Sequence, residues 1–325
     1  MKQRSGRRWM WWVLSAIVLL VAGGALALQY AAGRNGPAVL DRIDRTIGGD
    51  RDTVQRVKAA YGPSPAQSVA IYGARDGDGL PRPVLLFVHG GSWAKGSPDD
   101  YGFFARAFVP EGFMVVLAGY RLRPESVFPG MLEDTAAAVA WTRENIAAHG
   151  GDPDTIVLVG HSAGAYNVVM TTLDRQWLGR EGLSDDAVAG VVGLSGPYDF
   201  YPFDSESTKA SFGGADNPRK TTQPVAYARG DAPPMLLMTG DRDETVEPRN
   251  TYALANALRN AGGQVQRVTL ADADHARPIM LTAAPWRHNK RVIDAVTDFA
   301  RRVVRNADVH GNPGTTSVPV QATDG

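Results

Sequence analysis

The chain has 325 residues, no cysteine, and 34 basic against 34 acidic side chains, so its formal net charge is zero. Without thiols it can form no disulfide, no cysteine nucleophile and no thiolate metal site. Balanced charge removes the global field that draws nucleic acid, and an apolar content of 44% is ordinary for one large or two small globular domains.

The first segment points to a membrane. Residues 1–8 carry Lys2, Arg4, Arg7 and Arg8, and residues 9–28 follow without one charge, WMWWVLSAIVLLVAGGALAL. As a helix of about 1.5 Å rise per residue this run spans about 30 Å, the thickness of a bilayer core. The basic flank is expected to stay cytoplasmic, which puts the rest of the chain on the periplasmic or extracellular side. Trp9, Trp11 and Trp12 suit the membrane interface. The reading is one N-terminal transmembrane helix serving as a signal anchor. The alternative is a cleaved signal peptide with Ala25-Leu26-Ala27 at its A-x-A site, and a secreted product.

Residues 29–37 read as a linker, 38–306 as the folded domain and 307–325, rich in Pro, Gly and Thr, as a disordered tail. Residues 38–60 show weak helical spacing in Val39, Leu40, Ile43, Ile47, Val54 and Val57, interrupted at Gly48-Gly49. Strands and helices then alternate. Strands are expected at 68–72, 84–88, 114–117, 155–159, 188–194, 235–238 and 265–270. Helices are expected at 99–109, 131–149, 163–173, 248–261 and 289–304. Apolar runs such as VLLFV at 84–88 suit strands buried on both faces. The pattern predicts an α/β fold, a mainly parallel sheet with helices on both faces. Residues 198–232 lack strand character and read as a lid or pocket insert.

Two glycine-rich stretches follow expected strands. Gly160-His161-Ser162-Ala163-Gly164 has the form G-x-S-x-G between a strand and a helix, the context of a nucleophile elbow. Such a turn strains the serine backbone and brings helix and strand close, which requires small residues around it. His89-Gly90-Gly91-Ser92-Trp93 follows strand 84–88. Its glycines allow the loop to curl, so the N–H groups of Gly91 and Ser92, with that of Ala163, are assigned to an oxyanion hole. His89 is read as a brace for that loop.

A serine nucleophile needs a base and an orienting carboxylate. Of the later histidines, His310 falls in the tail and His288 at the start of the last helix. His275 lies in the polar loop ADADHARP after strand 265–270 and is the candidate base. Asp243, in GDRDETV after strand 235–238, is the candidate acid, with Asp241 and Glu244 as the alternatives for that role. Asp272 and Asp274 are read as shaping the His275 loop. Trp93, Phe200, Tyr201, Phe203 and Phe212 are candidate pocket residues. The alternative for the phenylalanines of the insert is that they pin it to the core.

HGGSW, YRLRPESVFPGMLEDTAAAVAW, DPDTIVLVGHSAGA, LSGPYDF, GDRDETV and DADH stand in the order found in α/β-hydrolase carboxylesterases. The chain resembles the hormone-sensitive-lipase-like and feruloyl- or acetylxylan-esterase-like branch over residues 61–304. The HGG-x-W form is also similar to that of kynurenine formamidases. The resemblance implies an α/β-hydrolase fold, no cofactor, and a Ser162–His275–Asp243 triad forming an acyl-enzyme on a small or aromatic ester. Two other readings stay open. One is an arylformamidase using the same triad, and the other is a non-catalytic binding protein that keeps the fold.

Overall fold

The computed structural model describes residues 5–48, 52–77, 79–284 and 286–311. These build an eight-stranded sheet from β1 (Thr53–Ala60), β2 (Ser68–Ala74), β3 (Arg82–Val88), β4 (Met114–Ala118), β5 (Gly151–His161), β6 (Gly190–Leu194), β7 (Met235–Gly240) and β8 (Val265–Leu270). The strand order is β1-β2-β4-β3-β5-β6-β7-β8. β2 runs antiparallel to β1 and β4, and all strands from β3 onward are parallel. This is the α/β-hydrolase arrangement.

β3 explains the continuous apolar runs. Val84, Leu86 and Val88 pack on one face with α3 (Gly130–Asn145), α4 (Ala163–Leu173) and α8 (Arg249–Asn260). Leu85 and Phe87 pack on the other with α2 (Gly102–Phe108) and α10 (Arg291–Gly311). A pleated strand sends successive side chains to opposite faces, so a strand covered on both has no polar face. α10 follows the helical period instead. Val292, Val296, Phe299 and Val303 are buried, whereas Arg301 and Arg302 face outward.

The direction of winding reverses between β3 and β5. The connection from β3 to β4 carries α2 on one face, and that from β4 to β5 carries α3 on the other. Open α/β sheets bind ligands in the crevice beyond the strand ends at such a reversal. The loops that leave β3, β5, β7 and β8 all open on that edge.

The N-terminal region departs most from expectation. One helix, α1 (Ser5–Ile47), takes in the expected linker and breaks at Asn35, where φ is −148° and ψ is 80°. Asn35 caps the second half, its Oδ1 accepting the Ala38 N–H at 3.2 Å. That half is docked on the domain by buried charges. Arg106 bridges Asp41 and Asp44, and Asp44 also accepts from Arg287 at 2.6 Å and from the Ala284 N–H at 2.7 Å. Val54 and Val57 belong to β1, not to a helix. The helical spacing holds for Val39, Leu40, Ile43 and Ile47, which lie in α1; only its continuation through Val54 and Val57 was a coincidence. α10 extends to Gly311, beyond the expected boundary at 306; residues 312–325 of the expected tail lie outside the described residues.

Among the described residues no helix is long and apolar enough to cross a membrane, so the expected transmembrane span at 9–28 finds no support there. The side chains at 20–22 and 25–28 of that run lie outside the described residues. Within the helix, Trp9, Trp11 and Trp12 are 71%, 61% and 74% exposed.

Candidate active site

Ser162 ends β5 with φ 56° and ψ −121° and begins α4. It makes no side-chain cap bond to the helix, so its hydroxyl is not an N-cap. The flanking glycines are required by space. A Cβ on Gly160 would lie 2.3 Å from the Gly164 carbonyl oxygen, and one on Gly164 2.1 Å from that of Val88. The turn is therefore closed to larger residues on both sides.

Ser162 Oγ donates to His275 Nε2 at 2.8 Å, and His275 Nδ1 donates to Asp243 Oδ2 at 2.8 Å. Three strand ends thus bring the serine, histidine and aspartate into one hydrogen-bonded line. Asp243 is buried, and its second oxygen accepts the N–H groups of Thr245 at 3.0 Å and Val246 at 2.8 Å. Burial pushes its pKa up, but the His275 hydrogen bond and charge and the Val246 N–H outweigh burial and hold the carboxyl below its ordinary value. The other acids of these loops do different work. Asp241 accepts from the Ala273 N–H at 3.2 Å and ties the two loops together. Glu244 is exposed. Asp272 pairs with Arg242, and Asp274 caps the Arg277 N–H at 2.9 Å.

His161 is a positioning group the sequence did not reveal. Its Nε2 donates to the His275 carbonyl at 3.1 Å, bracing the backbone that carries the candidate base. Burial, with the nearby His275, lowers its pKa to about 3, so it stays neutral in this role. His89 braces the facing loop. Its Nδ1 donates to the Gly90 carbonyl at 2.7 Å, and its ring stacks between Tyr101 and Tyr120. Burial lowers its pKa to about 4.

The loop after β3 is pressed against the elbow. A Cβ on Gly90 would lie 2.9 Å from the His161 oxygen and 3.1 Å from Ser162 Cβ. Gly91, Ser92 and Trp93 take φ values of 120°, 56° and 55°. That left-handed run turns successive N–H groups toward one side. Among the described residues the N–H groups of Gly91, Ser92 and Ala163 donate to no protein acceptor. The YRLRP stretch holds this loop from outside. The Arg123 N–H donates to the Trp93 carbonyl at 2.8 Å, Tyr120 Oη donates to the His89 carbonyl at 3.2 Å, and Arg121 is anchored to buried Asp134.

Two cavities flank Ser162. The larger, about 540 Å³, lies between the 90–96 loop, His275, Ile279 and the docked half of α1 through Val39, Leu40 and Ile43. The smaller, about 250 Å³, is bounded by Trp93, Phe200, Ser207, Glu244 and Arg249. Only Trp93 and Phe200 of the expected pocket residues line either cavity. Phe212 is fully buried and meets Trp93, Tyr166 and Phe200 edge to face. Phe203 packs against it, and Tyr201 is 41% exposed. The insert is partly helical, through α6 (Glu206–Phe212) and α7 (Pro218–Thr221), and its phenylalanines seat it on the core. Trp93 is itself fixed, its Nε1 donating to Asn167 at 3.0 Å. No group of three or more metal-ligating side chains occurs among the described residues.

Residues 69–258 match the BD-FAE family model, from β2 into α8, a stretch that holds Ser162 and Asp243 but stops short of His275. The chain is 33% identical over 236 residues to Esterase LipQ of Mycobacterium tuberculosis, covering 67% of this chain and 54% of LipQ. Esterase LipC of the same organism is 28% identical over 284 residues, covering 81% of this chain and 68% of LipC. The chain thus spans about half the length of LipQ. Among solved structures, Esterase B from Lactobacillus rhamnosis superposes with a TM-score of 0.73 at 17% identity, covering 89% of this chain and 98% of that one, a likeness of fold. With more than half of its length matched by the family model, the chain belongs to the BD-FAE family of α/β-hydrolase carboxylesterases.

Proposed function

We propose that the protein is a serine hydrolase of small-molecule carboxylic esters. The observation that carries this is the unbroken line Ser162 Oγ–His275–Asp243 beside three unpaired N–H groups. His275 Nε2 takes the Ser162 proton as Oγ attacks the ester carbonyl carbon. The negative oxygen is met by the N–H groups of Gly91, Ser92 and Ala163, with the N-terminus of α4 adding its dipole. His275 then gives the proton to the leaving alkoxide, and an acyl-enzyme remains. Water repeats the sequence, losing its proton to His275 and releasing the acid and Ser162. Asp243 keeps the Nδ1 proton in place, so that Nε2 faces Ser162 as an acceptor.

The test is hydrolysis of p-nitrophenyl acetate, butyrate and decanoate by the full chain in mild detergent, with Ser162→Ala as control. Activity that disappears in the variant supports the reading. Equal inertness of two folded proteins on esters, with turnover of N-formylkynurenine by the unsubstituted one, would move the assignment to an amide.

Residues 9–28 we assign to membrane attachment, with the catalytic domain on the non-cytoplasmic side. The basic flank, the uncharged run and the exposed tryptophans support that placement. Retention of the chain in carbonate-washed membranes tests it, and recovery in the soluble fraction would remove it.

A further inference from the structure

The two cavities beside Ser162 differ in chemistry as well as size. In the larger, Val39, Leu40 and Ile43 share an apolar lining with Phe103, Ile279 and Met280. The smaller is edged by Asp204, Glu244, Glu247 and Arg249. Val39, Leu40 and Ile43 come from α1, outside the 69–258 family match. Positions 39, 40 and 43 fall on one helical face, and Asp41 and Asp44 on the adjoining face, where Arg106 and Arg287 hold them. One side of a short helical stretch is thus locked to the domain, and the side next to it closes the cavity over the serine. Its volume of about 540 Å³ lies in the range of small-molecule sites.

Resting on the ester-hydrolase reading, we propose that the substrate is an unsymmetrical ester with one apolar and one polar arm. The apolar arm lies in the larger cavity against Val39, Leu40 and Ile43, which set the length it can reach. The shorter polar arm lies in the smaller cavity. The acyl chain and the alcohol are the two possible sources of the apolar arm, and they are separated by growing each in turn.

The experiment uses the full chain and two substrate series. In one, p-nitrophenyl esters lengthen from acetate to decanoate. In the other, alkyl acetates lengthen from ethyl to decyl. The series whose growing arm enters the larger cavity is expected to gain about fourfold in kcat/KM per methylene until the cavity is full. Ile43→Trp places a large ring in that space and is expected to lower the ratio of longest to shortest member at least tenfold. Ile43→Ala is expected to move the optimum to longer chains. Ile43 is half-buried, and stoichiometric labelling of Ser162 by a small fluorophosphonate reports that each variant is folded. Val39→Trp, on the same face, carries the same expectation if Ile43→Trp fails that check. Unshifted profiles in both series, with Ser162-dependent acetate hydrolysis intact, overturn the proposal and leave the hydrolase reading standing. Loss of Ser162 dependence on acetate removes the hydrolase reading itself, and the proposal with it.

Discussion

Two surfaces meet at Ser162, and they are held in different ways. The edge formed by the ends of β3, β5, β7 and β8 is specified locally, by glycines whose Cβ would crowd the backbone around the elbow and by short loops that leave the strand ends. The second half of α1 reaches the same place from more than a hundred residues away. It is held by the buried cluster Asp41, Asp44, Arg106 and Arg287. In the mechanism we propose, the first surface carries the groups that move protons, and the second shapes the space a substrate would fill. That proposal expects chemistry and selectivity to be separable by mutation.

The largest expected effect falls on the first surface alone. Ser162→Ala should lower kcat by about four to six orders of magnitude, with a thermal midpoint within about 2 °C of the parent, since among the described residues the hydroxyl bonds only to His275. A normal rate in the alanine variant would end the serine mechanism. Asp243→Asn should follow at about three to four orders, because the amide favours the wrong His275 tautomer.

The second surface should break through stability. Asp44→Ala leaves Arg106 and Arg287 without their shared carboxylate in a buried site, a loss of about 3–5 kcal/mol, or about 6–15 °C in thermal midpoint. Calorimetry checks this, and an unchanged midpoint would mean that α1 is not docked in solution. Gly164→Ala acts at the elbow by overpacking against the Val88 oxygen. It should destabilise by about 1–3 kcal/mol and reduce turnover as Ser162 shifts, measured by denaturant titration and by rate.

The last expectation concerns pH and leaves the covalent structure of both surfaces untouched. Burial lowers His89 to about 4 and His161 to about 3. Between those values and the unfolded histidine value, the unfolded chain binds protons that the folded one refuses. Stability is then full above about pH 6.5 and falls as pH drops, by about 1.4 kcal/mol per pH unit for each histidine. Asp243 adds a loss of the same sign at lower pH, since its folded pKa lies below its unfolded value. Urea unfolding between pH 7 and 5 should show the slope, and His89→Gln should remove about half of it. A flat profile would mean that these rings are hydrated.

Several features were legible in the sequence because their causes are short-range. A strand buried on both faces must be apolar throughout, so VLLFV declares itself. A strained turn under a helix must be small on both sides, so Ser162 declares itself. Asp243 could be reached by its place after the buried strand β7, and His275 by its place in the polar loop after the half-exposed edge strand β8. The phenylalanines of the insert were ambiguous for a physical reason: a ring that lines a cavity and a ring that seals a core have the same composition. Phe212 proved to be the second kind. The spacing of Val54 and Val57 matched a helix over a window too short to exclude β1.

By itself the sequence determined the parallel sheet, the elbow, and the residues able to form the hydrogen-bonded line, because each rests on backbone sterics or on alternation within a few residues. Only the tertiary structure decided what walls the serine's larger cavity, that His161 braces the His275 backbone, and that the end of the expected linker, from Asn35, caps a helix docked on the domain. Those depend on which distant surfaces meet. A paired carboxylate such as Asp44 has its partners at positions 106 and 287, beyond the reach of any local pattern.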